Sequence, residues 1–172
     1  MSVVVFETHS TSEDNEAGIA TGWAPGRLSA LGRSQAEELG RRRRDDGVVA
    51  VFSSDLRRAV ETAEIAFGRS GIPLFLDWRL RECDYGELTG MPRTVLDEQR
   101  VARIDEPWPG GESWRQAVAR VSRALDDLPP GRVVVIGHVA TGWALRHRVD
   151  GVPLEELAAE EFVWQPGWEY EL

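Results

Sequence analysis

Two of the three histidines in this 172-residue chain follow segments that are typical of buried strands. His9 comes after the apolar β-branched run Val3–Phe6, and His138 comes after the similar run Arg132–Ile136. At the end of a strand, a backbone carbonyl can hold one imidazole nitrogen while the other faces a cleft, where a neutral ring can act as a nucleophile. A single histidine in such a place is more often a hydrogen-bonded structural residue, but the coincidence of two favours a functional site.

The charge and hydropathy of the chain limit which classes of molecule we expect it to bind. All 20 basic residues are arginines, and 29 acidic residues bring the net charge to −9. This charge repels a nucleic-acid backbone, so we expect no nucleic-acid partner. A bound oxyanion must be held by guanidinium groups, which bind phosphate or carboxylate in a two-pronged manner. No apolar run approaches the roughly 20 residues that span a bilayer, so we expect no membrane partner and a cytoplasmic location.

The possible ligands for a metal ion are few and poorly spaced. The three histidines show neither HxH nor HExxH spacing, and the single Cys83 excludes an intramolecular disulfide and a zinc site of several thiolates. We therefore expect no metal and no cofactor. Cys83 is also a poor candidate for a cysteine-phosphatase nucleophile, because Thr89 stands where such an enzyme needs an arginine. A packed thiol is the expected role.

Strand and helix patterns alternate along the chain and must position these residues. Val48–Phe52 is a further buried run, and Pro73–Asp77 is a weaker strand candidate. Helices are expected after Ser29, from Ser53–Asp55 onward, over Thr94–Arg103 and over Ser113–Leu128. A terminal hairpin is expected from Phe162–Gln165 and Trp168–Leu172. The alternation predicts one α/β domain over residues 1–172, with a mostly parallel sheet whose strands end at the ligand site.

Several short motifs occur in an order that covers most of the chain. Thr8-His9-Ser10-Thr11-Ser12-Glu13-Asp14-Asn15 keeps the His and the Asn of the pattern Arg-His-Gly-x-Thr-x-x-Asn. Leu28–Ala36 matches Leu-Thr/Ser-x-x-Gly-x-x-Gln-Ala throughout, and Ser53–Ala63 is similar to Ser-Asp/Pro-Leu-x-Arg-Ala-x-Gln-Thr-Ala. Gly22-Trp23, Leu80–Gly90, Pro109–Ser113 and Gly137-His138 complete the set. In these motifs the chain resembles the histidine phosphatase superfamily, the phosphoglycerate-mutase-like proteins.

The resemblance implies a three-layer phosphoglycerate-mutase-like fold and a reaction through a phosphohistidine. By motif position, His9 maps onto the nucleophile, Arg58 onto a phosphate-binding arginine and Glu82 onto the general acid. His138 maps onto the second histidine of the catalytic set. The remaining predicted substrate-binding positions are Asn15, Ser10, Gly22 and Val139.

The chain departs from the family pattern beside the expected nucleophile. Thr8 replaces the first phosphate-binding arginine, and a lost charge-assisted pair costs about 1.5 to 3 kcal/mol. Ser10 replaces a glycine, and Val139-Ala140 replaces a Gly-Gly pair, which predicts a smaller and less positive pocket. The arginines considered as replacements are Arg27, Arg79, Arg81 and Arg146, each more often a surface residue.

Three functions agree with these residues. The favoured one is a phosphomonoester hydrolase that acts on a small phosphorylated metabolite through a phosphohistidine. The second is a catalytically impaired phosphate-binding or interaction module, which the lost arginine and glycines support. The third, a phosphoglycerate mutase, is disfavoured because the chain is short and has no Arg-Arg-Ser-type segment after Gly90. The substrate and the oligomeric state are left open by the sequence.

Overall fold

Five strands and seven α-helices alternate through residues 1–172, all of which are described by a computed structural model. The strands are β1 (Ser2–Thr8), β2 (Val48–Ser53), β3 (Leu74–Leu76), β4 (Gly131–Gly137) and β5 (Trp168–Glu171). The helices are α1 (Glu13–Ala17), α2 (Ala30–Arg43), α3 (Arg57–Phe67), α4 (Arg93–Asp97), α5 (Trp114–Asp126), α6 (Val139–Val149) and α7 (Leu154–Ala159). None of these helices is both long enough and apolar enough to cross a membrane.

The strands form one sheet in the order β3-β2-β4-β1-β5. The first four strands are mutually parallel, and only β5 is antiparallel, pairing with β1 at the edge. β1 and β4 lie side by side, with Thr8 opposite Gly137, so the histidines that follow them emerge at the same end of the sheet. The prediction of a mostly parallel sheet flanked by helices is confirmed.

Alternate residues of the central strands face two separate hydrophobic clusters. Val4 and Phe6 of β1 contribute to a large cluster with α5, α6 and α7, while Val5 packs with α2 and α3 on the opposite face. β4 alternates in the same way. Because both faces of the sheet are covered, these strands are continuous apolar runs, which is why the sequence made them recognisable.

Two predicted boundaries are wrong in detail, and one helix was not predicted. Ser53 ends β2, and α3 begins only at Arg57, because the buried Ser53 and Ser54 side chains bond to nearby backbone groups instead of capping the helix. The helix expected over Thr94–Arg103 ends at Asp97 and continues as turns. The long helix α6 was not predicted, since it is buried on several sides and has no amphipathic pattern.

The expected terminal hairpin is also wrong. Phe162–Gln165 forms no strand, and β5 pairs with the edge of β1 instead. Gly167, with a φ of 86°, turns the chain into β5, and a side chain there would collide with Glu7 and Arg43. The final strand therefore pairs with the free hydrogen-bonding edge of β1, although the local sequence predicted that it would pair within a hairpin.

The motif segment Leu28–Ala36 holds the loop that follows His9. Ser29 caps α2 through its side chain, and its backbone N–H donates to the carbonyl of Thr11 at 3.0 Å. The side-chain oxygen of Gln35 accepts the N–H of Thr11 at 2.9 Å. Gly32 lies so close that a Cβ there would stand 1.9 Å from the Thr11 carbonyl oxygen. This motif thus positions the loop that follows His9.

We expect Gly32→Ala to destabilise the protein by about 2 kcal/mol or more, because the clash with the Thr11 carbonyl outweighs the roughly 1 kcal/mol that alanine adds in a helix. Urea unfolding followed by circular dichroism measures the change. The control is Leu31→Ala at the exposed neighbouring position, expected within about 0.5 kcal/mol of the wild type. A Gly32→Ala protein as stable as the control would contradict this account of the motif.

Candidate active site

A cavity of about 730 Å³ opens at the carboxyl ends of β1 and β4. All four residues with a predicted catalytic or phosphate-binding role, His9, Arg58, Glu82 and His138, line it. They come from four separate parts of the chain: the end of β1, the first turn of α3, the loop before α4 and the end of β4. The fold therefore brings the predicted set together.

The imidazole of His9 is held in one tautomer. Its Nδ1 lies 2.7 Å from the carbonyl oxygen of Ser10, which can only accept, so Nδ1 carries the proton. Nε2 is then a lone-pair atom and accepts the Nε–H of Arg58 at 3.3 Å. Burial and the Arg58 cation together lower the pKa of His9 to about 3. At neutral pH the ring is therefore uncharged, and its unprotonated Nε2 beside Arg58 can act as a nucleophile.

Arg58 is a buried cation without a carboxylate partner. Its Nη2 donates to the carbonyl of Gly22 at 2.9 Å and to Nδ1 of His138 at 3.3 Å. Its Nη1 is buried and has no hydrogen-bond partner in the protein. A buried guanidinium nitrogen is costly to leave unpaired, so an oxyanion of a ligand is the natural partner for it.

His138 takes the opposite tautomer to His9. Because the arginine can only donate, Nδ1 of His138 accepts, and its Nε2–H donates to the hydroxyl of Ser54 at 2.9 Å. Burial, Arg58 and His9 lower the pKa of His138 well below its ordinary value, so this ring is also neutral. The two imidazole rings lie 5.0 Å apart between centroids. A phosphate bound between them would meet two neutral rings and one cation.

The carboxyl group of Glu82 lies at the start of α6. Its Oε1 accepts the N–H groups of Cys83 at 2.9 Å and Ala140 at 3.1 Å, and its Oε2 accepts that of Val139 at 3.3 Å. Burial raises the pKa of Glu82, although these N–H groups and Arg58 oppose the shift. A carboxyl group with a raised pKa is suited to carry a proton at the edge of the site.

The four predicted substrate-binding residues lie in different surroundings. Gly22 and Val139 line the cavity and bond to Arg58 and Glu82 as described, and Asn15 lines it at an exposed position. The Asn15 side-chain oxygen accepts the N–H of Ser12 in the cap of α1. Ser10 lies outside this cavity: its carbonyl holds His9, and its N–H donates to the Thr62 hydroxyl at 3.0 Å. Ser10 thus orients the imidazole from behind.

Three hydroxyl residues support the histidines and carried no assigned role in the sequence. Ser54 accepts from His138, Thr62 anchors Ser10, and the hydroxyl of Thr141 accepts the backbone N–H of His138 at 3.2 Å. Ser54 and Thr62 lie inside the quoted motif Ser53–Ala63. The Ser and Thr positions of that motif were therefore the sequence signal from which the supporting role of Ser54 and Thr62 could have been predicted.

The arginines near Thr8 are engaged by carboxylates. Thr8 is half-buried and lines both the main cavity and an adjoining one of about 290 Å³. Arg41 and Arg42 line the adjoining cavity and pair with Glu38 and Glu7. Among the arginines considered as substitutes, Arg27 pairs with Glu13, Arg79 with Asp77 and Asp127, and Arg81 with Asp55. Arg146 lines the main cavity, but its guanidinium is paired with Glu160. Arg58 therefore acts without the second guanidinium of the family pattern.

No group of three or more His, Cys, Asp or Glu side chains is arranged to hold a metal ion. Cys83 is fully buried, and burial raises the pKa of its thiol far above the ordinary value. The thiol is therefore protonated.

Comparison with known sequences shows the family of this chain. The profile of the histidine phosphatase superfamily (branch 1) matches residues 5–163, and the chain belongs to this superfamily. A 2,3-bisphosphoglycerate-dependent phosphoglycerate mutase of Allorhizobium ampelinum is 36% identical, with 93% of this chain and 82% of that protein covered. The enzyme of the same name from Nitrobacter hamburgensis is 32% identical over 94% of this chain and 84% of its own length.

Solved structures show the same fold. A mycobacterial glucosyl-3-phosphoglycerate phosphatase in complex with VO3 superimposes with a TM-score of 0.76 and 29% identity, covering 91% of this chain and 86% of that chain. YhfR of Bacillus stearothermophilus has a TM-score of 0.83 at 24% identity, covering 96% and 88% of the two chains. The predicted phosphoglycerate-mutase-like fold is confirmed.

The neutral, buried His138 makes a testable contribution to pH-dependent stability. Its folded-state pKa lies below the unfolded value, so stability is present above about pH 6.5 and is lost as the pH falls. Between pH 7.5 and pH 5 the unfolding free energy of the wild type is expected to fall by about 2 kcal/mol more than that of His138→Gln. Urea unfolding at the two pH values measures both changes. His147→Gln on the same helix is the control. Equal losses in His138→Gln and the wild type would contradict a neutral His138.

Proposed function

We propose that the protein is a phosphomonoester hydrolase that acts on a small phosphorylated metabolite through a phosphohistidine at His9. The observation that carries the proposal is the contact between the unprotonated Nε2 of His9 and the Nε of Arg58, whose Nη1 has no partner. A nucleophile and an unsatisfied oxyanion donor thus lie side by side in one cavity. The phosphatase named in the comparisons supports the same class of reaction.

In the first step, the Nε2 lone pair of His9 attacks phosphorus while the ester P–O bond breaks. The Nδ1–H bond to Ser10 keeps the attacking nitrogen free of its proton. Arg58 and the Nε2-protonated His138 stabilise the charge on the phosphoryl oxygens, the latter after rearrangement of its bond to Ser54. No metal ion enters this scheme.

Glu82 is proposed to handle the protons. In its protonated form it gives a proton to the departing alkoxide, which otherwise leaves as a strong base. In the second step its carboxylate takes a proton from the water that attacks the phosphohistidine, and the P–N bond breaks to release phosphate. The raised pKa of Glu82 favours the first role, and the three N–H donors that stabilise the carboxylate favour the second.

A second candidate function follows from Thr8. A cavity with one guanidinium binds a phosphoryl transition state less well than a cavity with two, and a chain with this deficit can retain phosphate binding without turnover. The phosphate-binding or interaction module is therefore the alternative. The phosphoglycerate mutase reaction, to which the names of the curated relatives point, is less favoured because every other arginine of the cavity already has a carboxylate partner.

We expect His9→Ala to abolish turnover, and with it an acid-labile, alkali-stable label on the protein from a radioactive phosphoryl donor. The reason is that His9 provides the only nucleophilic nitrogen in the proposed scheme. His147→Ala, which changes an exposed histidine remote from the cavity, is the matched control and retains the label. Label that persists in His9→Ala places the nucleophile elsewhere.

The effect of Thr8→Arg separates a weakened enzyme from a binding module. The adjoining cavity leaves room beside Thr8, and a second guanidinium is expected to raise kcat/KM on generic phosphoesters by about tenfold to a hundredfold. Thr8→Gln adds similar length without charge and is expected to give no gain. If Thr8→Arg folds normally and neither it nor the wild type hydrolyses any ester, the binding module becomes the better account.

A further inference from the structure

Aromatic residues form much of the lining of the main cavity, and we call them the aromatic wall. Five of the seven tryptophans of the chain line this cavity. Trp114 and Trp143 lie with ring centroids 4.3 Å apart, and Tyr85 contacts Trp114 at 6.1 Å in an edge orientation. Trp108, Trp114 and Trp143 are at most 7% exposed, so the rings open to a planar or alicyclic group are the half-buried Trp168 and the exposed Trp164, which line the same cavity as this packed aromatic layer.

Further apolar side chains stand at the mouth of the cavity. Phe162, Val163 and Trp164 line it and are 43%, 76% and 56% exposed. They belong to the segment that sequence assigned to a hairpin and that forms no strand, so backbone pairing does not require their apolar character. Exposed apolar residues grouped at a cavity entrance mark a ligand-binding surface.

The arginines that line this cavity other than Arg58 already have carboxylates near them. Arg93, Arg100 and Arg146 line the cavity, and each has a carboxylate partner. Asp97 serves the first two, and Glu160 pairs with Arg146 through both carboxylate oxygens. Glu161 adds a further acidic residue to the lining. A carboxylate on the substrate would compete with Asp97 or Glu160 for these arginines and would lie near the acidic Glu161.

We infer that the substrate is the phosphate monoester of an uncharged alcohol that carries an apolar ring, and not a carboxylated phosphoester. This rests on the proposed function and specifies its leaving group. Arg58 and the histidines bind the phosphoryl group, the aromatic wall and the mouth residues bind the ring, and the carboxylates beside the other arginines disfavour a second anion. The missing guanidinium at Thr8 is then offset by binding energy from the apolar half of the substrate.

Three alkyl esters test the inference: 2-phenylethyl phosphate, glycerol 3-phosphate and 3-phosphoglycerate. Their primary alkoxide or carboxylated leaving groups all need a proton, so differences report binding of the alcohol half more than leaving-group activation. Burying a phenyl ring is expected to raise kcat/KM for phenylethyl phosphate on the order of 30-fold over glycerol 3-phosphate. 3-Phosphoglycerate is expected to be poorer still.

Two variants locate the selectivity in the named residues. Trp164→Ala removes an exposed aromatic ring at the mouth and is expected to lower the preference for phenylethyl phosphate over glycerol 3-phosphate by about fivefold. Glu160→Gln frees the Arg146 guanidinium and is expected to raise kcat/KM for 3-phosphoglycerate about tenfold relative to phenylethyl phosphate. Trp78→Ala, at an exposed tryptophan outside the cavity, is the control and is expected to keep the wild-type preference.

The outcomes distinguish this inference from the function on which it rests. Turnover with a preference for phenylethyl phosphate that Trp164→Ala reduces supports both. Turnover in which 3-phosphoglycerate is the best of the three esters overturns the inference and leaves the hydrolase intact, as does an unchanged preference in Trp164→Ala. No turnover of any ester, together with no phosphohistidine, overturns the proposed function itself.

Discussion

The buried guanidinium of Arg58 is the interaction on which the site depends. It donates to both histidines and to the carbonyl of Gly22, and it receives no carboxylate in return. A buried cation without a counter-ion costs several kcal/mol, which the rest of the fold must offset. Burial, together with this cation, lowers the pKa values of both imidazoles and keeps them neutral, so the proposed nucleophile lies beside a guanidinium whose Nη1 has no partner in the protein.

The parallel sheet supplies the geometry that this arrangement needs. β1 and β4 are adjacent, so the residues that follow them meet at one edge, and the N-terminus of α6 presents the N–H groups that hold Glu82. Around this centre, Ser54 bonds the ring of His138, and Thr62 and Thr141 accept the backbone N–H groups of Ser10 and His138. The precision of the site therefore comes from elements that are themselves buried on both faces.

Two features of the cavity bear on ligand binding together: Thr8 in place of an arginine, and the aromatic wall. Thr8 leaves a single guanidinium on the phosphate side, and the other cavity arginines are engaged by Asp97 and Glu160. The cavity is consequently weak in electrostatic attraction and rich in apolar surface. In such a cavity, selectivity comes from the part of the ligand that does not react.

The sequence by itself determined the sheet-forming runs and the identity of the central residues. Val3–Phe6 and Arg132–Ile136 were recognisable because strands covered on both faces are continuously apolar, and the order of short motifs identified His9, Arg58, Glu82 and His138. Only the tertiary structure decided the tautomers of the two histidines, the position of Ser10 behind the ring, and the pairing of β5 with β1. It also decided that Arg146 is engaged by Glu160. These features depend on contacts between residues far apart in the chain, and local propensity contains no information about which distant group becomes a neighbour.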